Sequence, residues 1–393
     1  MLQNTLQKVR HHVRNPLLAS VVTCIAASSL FLSSSVLAQE GAAPQKMALN
    51  HVWSRLADKN GELGSIESVE FSPDSEYIVS GSKYDYTVRM FRVSDGFEMW
   101  KVNVGQEIER VAWTADSKRV VSVSEDFFMR VFDAKSGELL EEIKQEAGMD
   151  GLTLSNNGKL MATGAESQDE DNKISYAPAT LYSTEDWSEV LKVDHGATIN
   201  DVDFSSDDQF FITAGHPFIK VWNTKTGELI DTFETFGQGN FGREYDGFVS
   251  ARINDDDSYL AAGTGSGNLY VFRVKDDGKL KHVKTINRTG RKIETVTWTA
   301  DGRYILQAGH SPVVTFFSLD AILTEGIQSR FVPTALEVPL TDNLEYMEFN
   351  REGTLFATAQ QDGTIQLFTF MSDNPMINQL RHKMVKEVQS EVK

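Results

Sequence analysis

Apolar and polar residues recur along the chain in a pattern that repeats roughly every 41 to 51 residues. Each copy begins with an apolar residue, and further apolar residues follow at its fourth and sixth positions, as in Ile66, Val69 and Phe71. The alternation of apolar and polar residues at the end of this segment is typical of a β-strand. An Asp, Asn or Glu follows three residues later, where its side chain can bond to the backbone of a turn. The copies begin at Ile66, Ile108, Met149, Ile199, Phe248, Ile293 and Leu344.

Further strand-like segments follow the turn in most copies. In the first copy these are Tyr77-Ile78-Val79, then TVRMF ending at Phe91, then EMWKVNV. Four strands in this length correspond to one propeller blade. The pattern therefore predicts an all-β fold: a seven-bladed β-propeller of four-stranded antiparallel blades in the domain 39–370.

The two ends of the repeat region predict how the ring closes. The last copy has three strands and ends near Phe370, whereas segment 48–57 forms a strand with no blade of its own. We expect this segment to supply the missing outer strand, because closure avoids an exposed sheet edge. In the tail, 371–393, apolar residues recur at helical spacing after Asp373-Asn374-Pro375. This predicts a short amphipathic C-terminal helix that docks either on the propeller or on a partner.

Residues 1–38 have the layout of a secretory signal peptide. Lys8, Arg10 and Arg14 precede an uncharged, largely apolar stretch, and Val36-Leu37-Ala38 suits cleavage before Gln39. The alternative is an uncleaved membrane anchor, because the apolar stretch is long enough to span a bilayer. We expect cleavage by the Sec route and a periplasmic or secreted protein of a Gram-negative envelope.

The charge and cysteine content of the chain restrict the kinds of partner and site that it can have. The chain has 38 Lys and Arg against 56 Asp and Glu; loss of the three basic residues of the signal peptide leaves 35 against 56, a net charge of −21. Nucleic acid binding depends on clustered Lys and Arg, so we expect no nucleic acid and no membrane insertion after cleavage. A protein or peptide with a basic patch is a more suitable partner for this acidic chain. We expect the chain itself to be a monomer. The one cysteine, Cys24, leaves with the signal peptide, which excludes disulfides and thiolate metal sites.

The repeats resemble those of the WD40 family over about residues 47–370. The segments SGSKYDYTVRMF and QQDGTIQLF are similar to the family's turn between the second and third strands, and Asp85, Asp126 and Asp362 lie where the family has its structural Asp. The Gly-His that opens typical repeats is missing, and the terminal Trp-Asp is replaced, for example by Phe91-Arg92. The resemblance implies a binding face made of the loops between second and third strands and between blades. The departures imply that the family's buried polar network is mostly absent.

Acidic residues follow the first apolar residue in five of the seven copies. We expect them to form a broken carboxylate ring at the mouth of the central channel, where they would bind a cation or a Lys or Arg side chain. The alternative is a solvated strand start. The five are Glu67, Glu109, Asp150, Glu294 and Glu345, with Asn200 and Val249 in the other two copies.

Two loops and two histidines complete the candidates for the loop face. The insertion 166–178 contains Asp169, Glu170 and Asp171, which are candidates for binding a partner. The alternative is that the insertion is a solvated hairpin tip. His216 and His310 occupy the same turn of two repeats and are weak candidates for metal ligands; the alternative is a local bond to the backbone. The Gly-rich loop 235–247 lies outside the repeat pattern, which favours a binding role. Its candidate residues are Phe236, Phe241, Arg243 and Tyr245.

Motifs that define common enzymes are missing from the sequence, among them Cys-x-x-Cys-His, a phosphate-binding Gly-rich loop, His-Glu-x-x-His and Gly-x-Ser-x-Gly. We therefore expect no cofactor. We interpret the chain as a periplasmic protein-interaction module or scaffold that binds its partner on the acidic loop face. Alternatives are a propeller-type enzyme, a metal-dependent lactonase or hydrolase with its site at the central channel, and a purely structural subunit of an envelope complex.

Overall fold

Every repeat of the sequence forms one four-stranded antiparallel sheet, and the seven sheets are the blades of a propeller. The structure is a computed structural model and describes residues 46–58, 63–167, 175–235, 246–287 and 290–374. Blades 1 to 6 each use four consecutive strands, whereas blade 7 combines the last three strands with the first one. The predicted fold class is therefore confirmed.

The closing strand and the first three blades form the first half of the chain. Strand β1 is Ala48–Leu56 and belongs to blade 7. Blade 1 consists of β2 Ile66–Phe71, β3 Tyr77–Ser82, β4 Thr87–Arg92 and β5 Glu98–Asn103. Blade 2 consists of β6 Ile108–Trp113, β7 Arg119–Ser124, β8 Phe128–Asp133 and β9 Leu139–Lys144. Blade 3 consists of β10 Met149–Leu154, β11 Leu160–Ala165, β12 Pro178–Ser183 and β13 Glu189–Asp194.

The second half continues the same order. Blade 4 consists of β14 Ile199–Phe204, β15 Phe210–Gly215, β16 Phe218–Asn223 and β17 Leu229–Glu234. Blade 5 consists of β18 Phe248–Ile253, β19 Tyr259–Thr264, β20 Asn268–Val274 and β21 Leu280–Asn287. Blade 6 consists of β22 Ile293–Trp298, β23 Tyr304–Gly309, β24 Ser311–Ser318 and β25 Thr334–Pro339. Blade 7 consists of β26 Leu344–Phe349, β27 Leu355–Gln360 and β28 Thr364–Met371, together with β1.

The first apolar residue of each repeat packs between neighbouring blades. Ile108 of blade 2 is fully buried and shares one hydrophobic cluster with Val79 and Val88 of blade 1. Gly81 allows this approach, because a Cβ atom at that position would lie 2.5 Å from Cγ2 of Ile108. The small residues that end the second strand therefore make room for the anchor residue of the next blade.

Strand β1 closes the ring, as the sequence predicts. It pairs antiparallel with β28 from Ala48 opposite Met371 to Leu56 opposite Thr364. It also contacts blade 1, since Nε1 of Trp53 donates a hydrogen bond of 2.8 Å to the carbonyl oxygen of Val93. The closing strand therefore joins blade 7 and blade 1.

A helical insertion between β24 and β25 has no counterpart in the sequence-based prediction. It contains helix α1, Leu319–Leu323, and a short 3-10 helix, Ser329–Phe331. Ile322 and Val332 of this insertion are buried in a cluster with Ile286 of blade 5. The insertion therefore covers part of the apolar surface that blade 5 would otherwise expose.

The predicted signal peptide 1–38 lies outside the described residues. The predicted C-terminal helix also lies outside them, apart from 371–374, of which Met371 ends β28. Within the ranges that the structure describes, no helix has the length and apolar character needed to cross a membrane.

Candidate functional site at the mouth of the central channel

One cavity of about 810 Å³ lies where the innermost strands of all seven blades begin. The second residue of every repeat lines it, so five acidic residues lie around one opening. We call it the mouth cavity. The seven residues are Glu67, Glu109, Asp150, Asn200, Val249, Glu294 and Glu345.

A β-bulge in each innermost strand positions these side chains. In blade 1, Ile66 pairs with Ser82 and Ser68 pairs with Gly81, which leaves Glu67 as the extra residue. The same shift follows Ile108, Met149, Ile199, Phe248, Ile293 and Leu344. A bulge changes the direction of a side chain relative to the regular alternation of a strand. The anchor residue therefore stays in the core while the next residue faces the cavity.

A second ring of residues lines the same cavity, and each of them directly follows the second strand of its blade. This ring places the two candidate histidines at the site together with two acids and a lysine that the second-position pattern does not include. Its members are Lys83, Glu125, Glu166, His216, Gly265 and His310. The repeat alignment contains this ring too, because the position has the same offset in every copy.

The carboxylates of the mouth cavity carry less charge at neutral pH than their number suggests. Burial raises the pKa of Glu67 to about 7, and the charge of Glu345 contributes next. Burial and then the charge of Glu166 raise the pKa of Asp150 to about 7. Burial, followed by the charge of Asp150, also raises the pKa of Glu109 well above its usual range. Crowding of like charges in a poorly hydrated space causes all three shifts.

Glu294 differs from these acids because a lysine and a histidine lie next to it in the cavity. Its carboxylate lies 2.7 Å from Nζ of Lys292 and 2.9 Å from Nε2 of His310. Burial raises the pKa of Glu294, and Lys292 opposes that rise. The blade 6 side of the mouth cavity is therefore close to charge balance, whereas the side of blades 1 to 3 is strongly acidic.

Below the mouth cavity, two arginines and a tyrosine fill the channel. The guanidinium carbon of Arg110 lies 5.1 Å from the ring centre of Tyr346, and that of Arg252 lies 5.9 Å from it. Nη2 of Arg252 donates a 2.9 Å hydrogen bond to Oη of Tyr346, and Nη1 bonds to the carboxylate of Asp201. Because these residues come from blades 2, 4, 5 and 7, they bridge the ring and form the floor of the cavity. The sequence pattern did not indicate them.

The three aspartates predicted to have structural roles lie in turns between second and third strands. Asp85 pairs with Arg89 in blade 1, and Oδ2 of Asp126 lies 2.5 Å from Nη2 of Arg130 in blade 2. Asp362 accepts a 2.9 Å hydrogen bond from the backbone N–H of Thr364. In blades 1 and 2 an Asp–Arg pair therefore holds the turn against the third strand.

Blade 4 keeps a buried histidine network that the sequence analysis did not find. Nδ1 of His195 lies 2.7 Å from Oγ1 of Thr213, and Nε1 of Trp222 donates a 2.9 Å hydrogen bond to the same oxygen. Burial, with a further effect of Lys220, lowers the pKa of His195 to about 3, so the ring is neutral. The residue order His195-Gly196 reverses the usual Gly-His, which explains why the motif escaped notice.

Both candidate loops leave the propeller at the mouth cavity. Glu166 and Thr198 line the cavity, and Oγ1 of Thr198 accepts a 2.9 Å hydrogen bond from the backbone N–H of Ser167. Thr235 donates a 2.7 Å hydrogen bond to the carbonyl oxygen of Asp246, which fixes the base of the second loop. The candidate residues themselves lie outside the described residues: Asp169, Glu170, Asp171, Phe236, Phe241, Arg243 and Tyr245.

Fold and site together define a seven-bladed β-propeller with a polar, acid-rich cavity at one end of its channel. The family model described as WD domain, G-beta repeat matches residues 54–92 and 188–223. The chain is a WD40-repeat β-propeller, as the resemblance of its repeats implied.

Similar proteins are spread over several functions. The chain is 26% identical to Pre-mRNA-processing factor 19 of Oryza sativa subsp. japonica over 260 residues, 64% of this chain and 46% of the relative. It is 27% identical to Eukaryotic translation initiation factor 3 subunit I of Eremothecium gossypii over 201 residues, 46% of this chain and 55% of the relative. It is 30% identical to Coronin-7 of Mus musculus over 115 residues, 28% of this chain and 12% of the relative. The matches thus span about half of the first two relatives and a small part of the third.

Proposed function

We propose that the chain is an exported protein-interaction module, and that its partner inserts a Lys or Arg side chain into the mouth cavity. The observation that carries this proposal is the convergence of equivalent residues from all seven blades on one cavity, five of them carboxylic acids. A concave site with several converging polar groups is the usual form of a binding site.

The state of the carboxyl groups favours a cationic ligand. Glu67 is only 8% exposed, and its Oε1 makes no hydrogen bond of good geometry, although the Ser65 hydroxyl lies near the carboxyl group. A buried polar atom without a partner costs free energy, and an incoming ammonium or guanidinium group would remove that cost. Because the pKa of Glu67 and Asp150 is about 7, a bound cation would also stabilise the ionised carboxylates and release protons.

The comparisons support binding over catalysis. The names of the relatives denote a processing factor, a subunit of an initiation factor and a coronin, and a subunit works within an assembly of proteins. Among the described residues that line the mouth cavity, Thr198 supplies the one hydroxyl group and there is no cysteine. This lining suits the recognition of charge better than nucleophilic catalysis, which needs an activated hydroxyl or thiol.

The cellular location is part of the same proposal. The basic start, the apolar stretch and Val36-Leu37-Ala38 support export and cleavage before Gln39. In the periplasm the partner would be an envelope protein or peptide with a basic patch.

The test is affinity capture with protein purified from the cell envelope after expression of the full chain. The quadruple variant Glu67→Gln, Glu109→Gln, Glu294→Gln and Glu345→Gln keeps the shape of the cavity and removes four of its acids. The control changes four exposed acids on the outside of the blades by the same chemistry: Glu138→Gln, Glu141→Gln, Glu185→Gln and Glu228→Gln. Both variants have the same net charge.

We expect the parent and the control to capture a basic partner at low salt and to release it as salt rises, because screening weakens charge attraction. The cavity variant should lose at least tenfold in affinity. Equal capture by the cavity variant, with the same salt dependence, would show that the partner binds elsewhere.

A further inference from the structure

Three glutamates of blades 1 and 2 converge on one side of the mouth cavity. One carboxylate oxygen from each of Glu67, Glu107 and Glu109 lies within 4.8 Å of the other two. Calcium binds oxygen ligands at about 2.3–2.6 Å, so two oxygens on opposite sides of a Ca²⁺ ion are about 5 Å apart. The three oxygens therefore fit within one calcium coordination sphere.

Glu67 provides a second, independent indication of a missing ligand. Its side chain faces the cavity and is 8% exposed, and Oε1 is buried without a hydrogen bond of good geometry, although the Ser65 hydroxyl lies near the carboxyl group. The described protein around it thus leaves one lone-pair acceptor unsatisfied at the place where the three carboxylates meet. A cation at that point would satisfy it.

The charges around the triad are also unbalanced. Lys83 pairs with Glu107 and is the nearest ammonium group. The charge of Arg110 lowers the pKa of Glu109, but among the described residues Arg110 forms no ion pair with the triad. Its Nη1 donates a 2.8 Å hydrogen bond to the carbonyl oxygen of Glu109, and its guanidinium lies over Tyr346. When all three carboxylates are ionised, their charge exceeds that of Lys83 by two. The raised pKa values of Glu67 and Glu109 reduce this excess at neutral pH, and a divalent cation would favour the fully ionised state by neutralising it.

We propose that Glu67, Glu107 and Glu109 bind a Ca²⁺ ion in the mouth cavity. Calcium is favoured over Mg²⁺ because it accepts flexible, carboxylate-rich geometry, whereas Mg²⁺ requires a near-ideal octahedron and gives up its water reluctantly. His216 and His310, the metal candidates from the sequence, take no part in this triad. The site does not depend on the protein partner, although the ion and a basic side chain would compete for Glu67 and Glu109.

The experiment is a calcium titration of chelator-treated protein, with no partner present. Isothermal titration calorimetry gives the affinity, and thermal melting gives the stabilisation, each with CaCl₂, with MgCl₂ and with NaCl at matched ionic strength. Glu67→Gln and Glu109→Gln remove single triad ligands. Glu125→Gln is the matched control, because Glu125 lines the same cavity but lies outside the triad. Lys83→Gln removes the competing ammonium group.

We expect the parent to bind calcium with a dissociation constant of about 10⁻⁴–10⁻³ M, as extracellular calcium modules do, and to melt several degrees higher with saturating calcium because the ion binds only the folded ring. Glu67→Gln and Glu109→Gln should each weaken binding at least tenfold, Glu125→Gln by less than threefold, and Lys83→Gln should tighten it.

The proposal is overturned if 10 mM CaCl₂ gives neither heat nor a melting shift beyond the NaCl control. It is also overturned if Glu125→Gln weakens binding as much as Glu67→Gln, since calcium would then respond only to the general negative field of the cavity. If Glu67→Gln does not fold, the other two variants still test the site. Glu109→Gln should weaken calcium binding and Lys83→Gln should tighten it, and the absence of both effects would overturn the proposal. If the parent protein binds calcium but captures no basic partner, the result counts against the proposed function and not against the calcium site.

Discussion

Glu348 of blade 7 lies beside Glu70 of blade 1, and both carboxyl groups are buried at the level of Arg252 in the channel. Burial raises the pKa of Glu348 to about 8, against a lowering effect of Arg252. Burial and then the charge of Glu348 raise the pKa of Glu70 well above its usual range. Arg252 is committed to Asp201 and Tyr346. Two acids thus share a space in which one cation is already engaged.

This pair predicts that stability falls as pH rises. The folded protein keeps a proton on Glu348 up to about pH 8, whereas the unfolded chain releases it near pH 4.5. Between these values the folded state binds more protons, so the free energy of unfolding decreases by about 1.4 kcal/mol per pH unit for each such group. Glu348→Gln should flatten the decrease between pH 5 and 8, measured by urea denaturation. An unchanged slope would show that Glu348 titrates normally.

The network in blade 4 should contribute measurably to stability. Thr213→Val removes the oxygen that both His195 and Trp222 use, and leaves two buried nitrogens without partners. Each unsatisfied group costs about 1–3 kcal/mol, so the free energy of unfolding should fall by at least 1 kcal/mol. Thr224→Val is the control, because Oγ1 of Thr224 is buried without a partner in the parent. That change should be neutral or stabilising, and equal losses in both variants would contradict the role of Thr213.

The closing strand can be tested by a single substitution. Trp53 is 7% exposed, packs with Ile66 and Phe91 in one cluster, and bonds to blade 1. Replacement of a buried tryptophan by alanine costs about 3–5 kcal/mol. We expect Trp53→Ala to lower the melting temperature strongly, whereas Val52→Ala on the exposed face of the same strand should have little effect. Equal melting of both variants would mean that β1 adds little to the stability of the ring.

Export can be tested at the proposed cleavage site. The residue before the cut must be small, so Ala38→Asp should block processing and leave the intact chain in the membrane fraction. Ala43→Asp, a few residues beyond the cut, is the control and should be processed normally. Mass spectrometry of envelope fractions distinguishes a chain that begins at Gln39 from the intact chain. Recovery of the unmodified parent as an intact membrane protein would favour the anchor interpretation.

The repeats of the sequence predict most of the fold because propeller packing is local. The apolar anchors, the turn acids and the strand that closes the ring all follow from spacing within one copy or from a missing strand. The placement of Glu67 and its equivalents around one opening follows for the same reason. These features depend on neighbours in sequence or on adjacent blades.

The features that the sequence did not predict depend on contacts across the ring or on local departures from the repeat pattern. Arg110 and Arg252 meet at Tyr346 from three different blades, which no single repeat reveals. The raised pKa of Asp150 depends on the number of acids in an enclosed space. The insertion with α1 separates two strands of one blade and lies outside the repeat pattern. The histidine network of blade 4 was missed because its dipeptide is His195-Gly196, whereas the usual motif is Gly-His.

The pairing of β1 with β28 also sets the order in which the molecule can be completed. Ala48 meets its partner Met371 only after every blade between them has been made. Contacts between such distant parts of a chain form late and slowly, because a long loop must close before they give any stabilisation. A ribosome-bound intermediate therefore carries an incomplete ring with an unpaired strand edge until the last strand has been made.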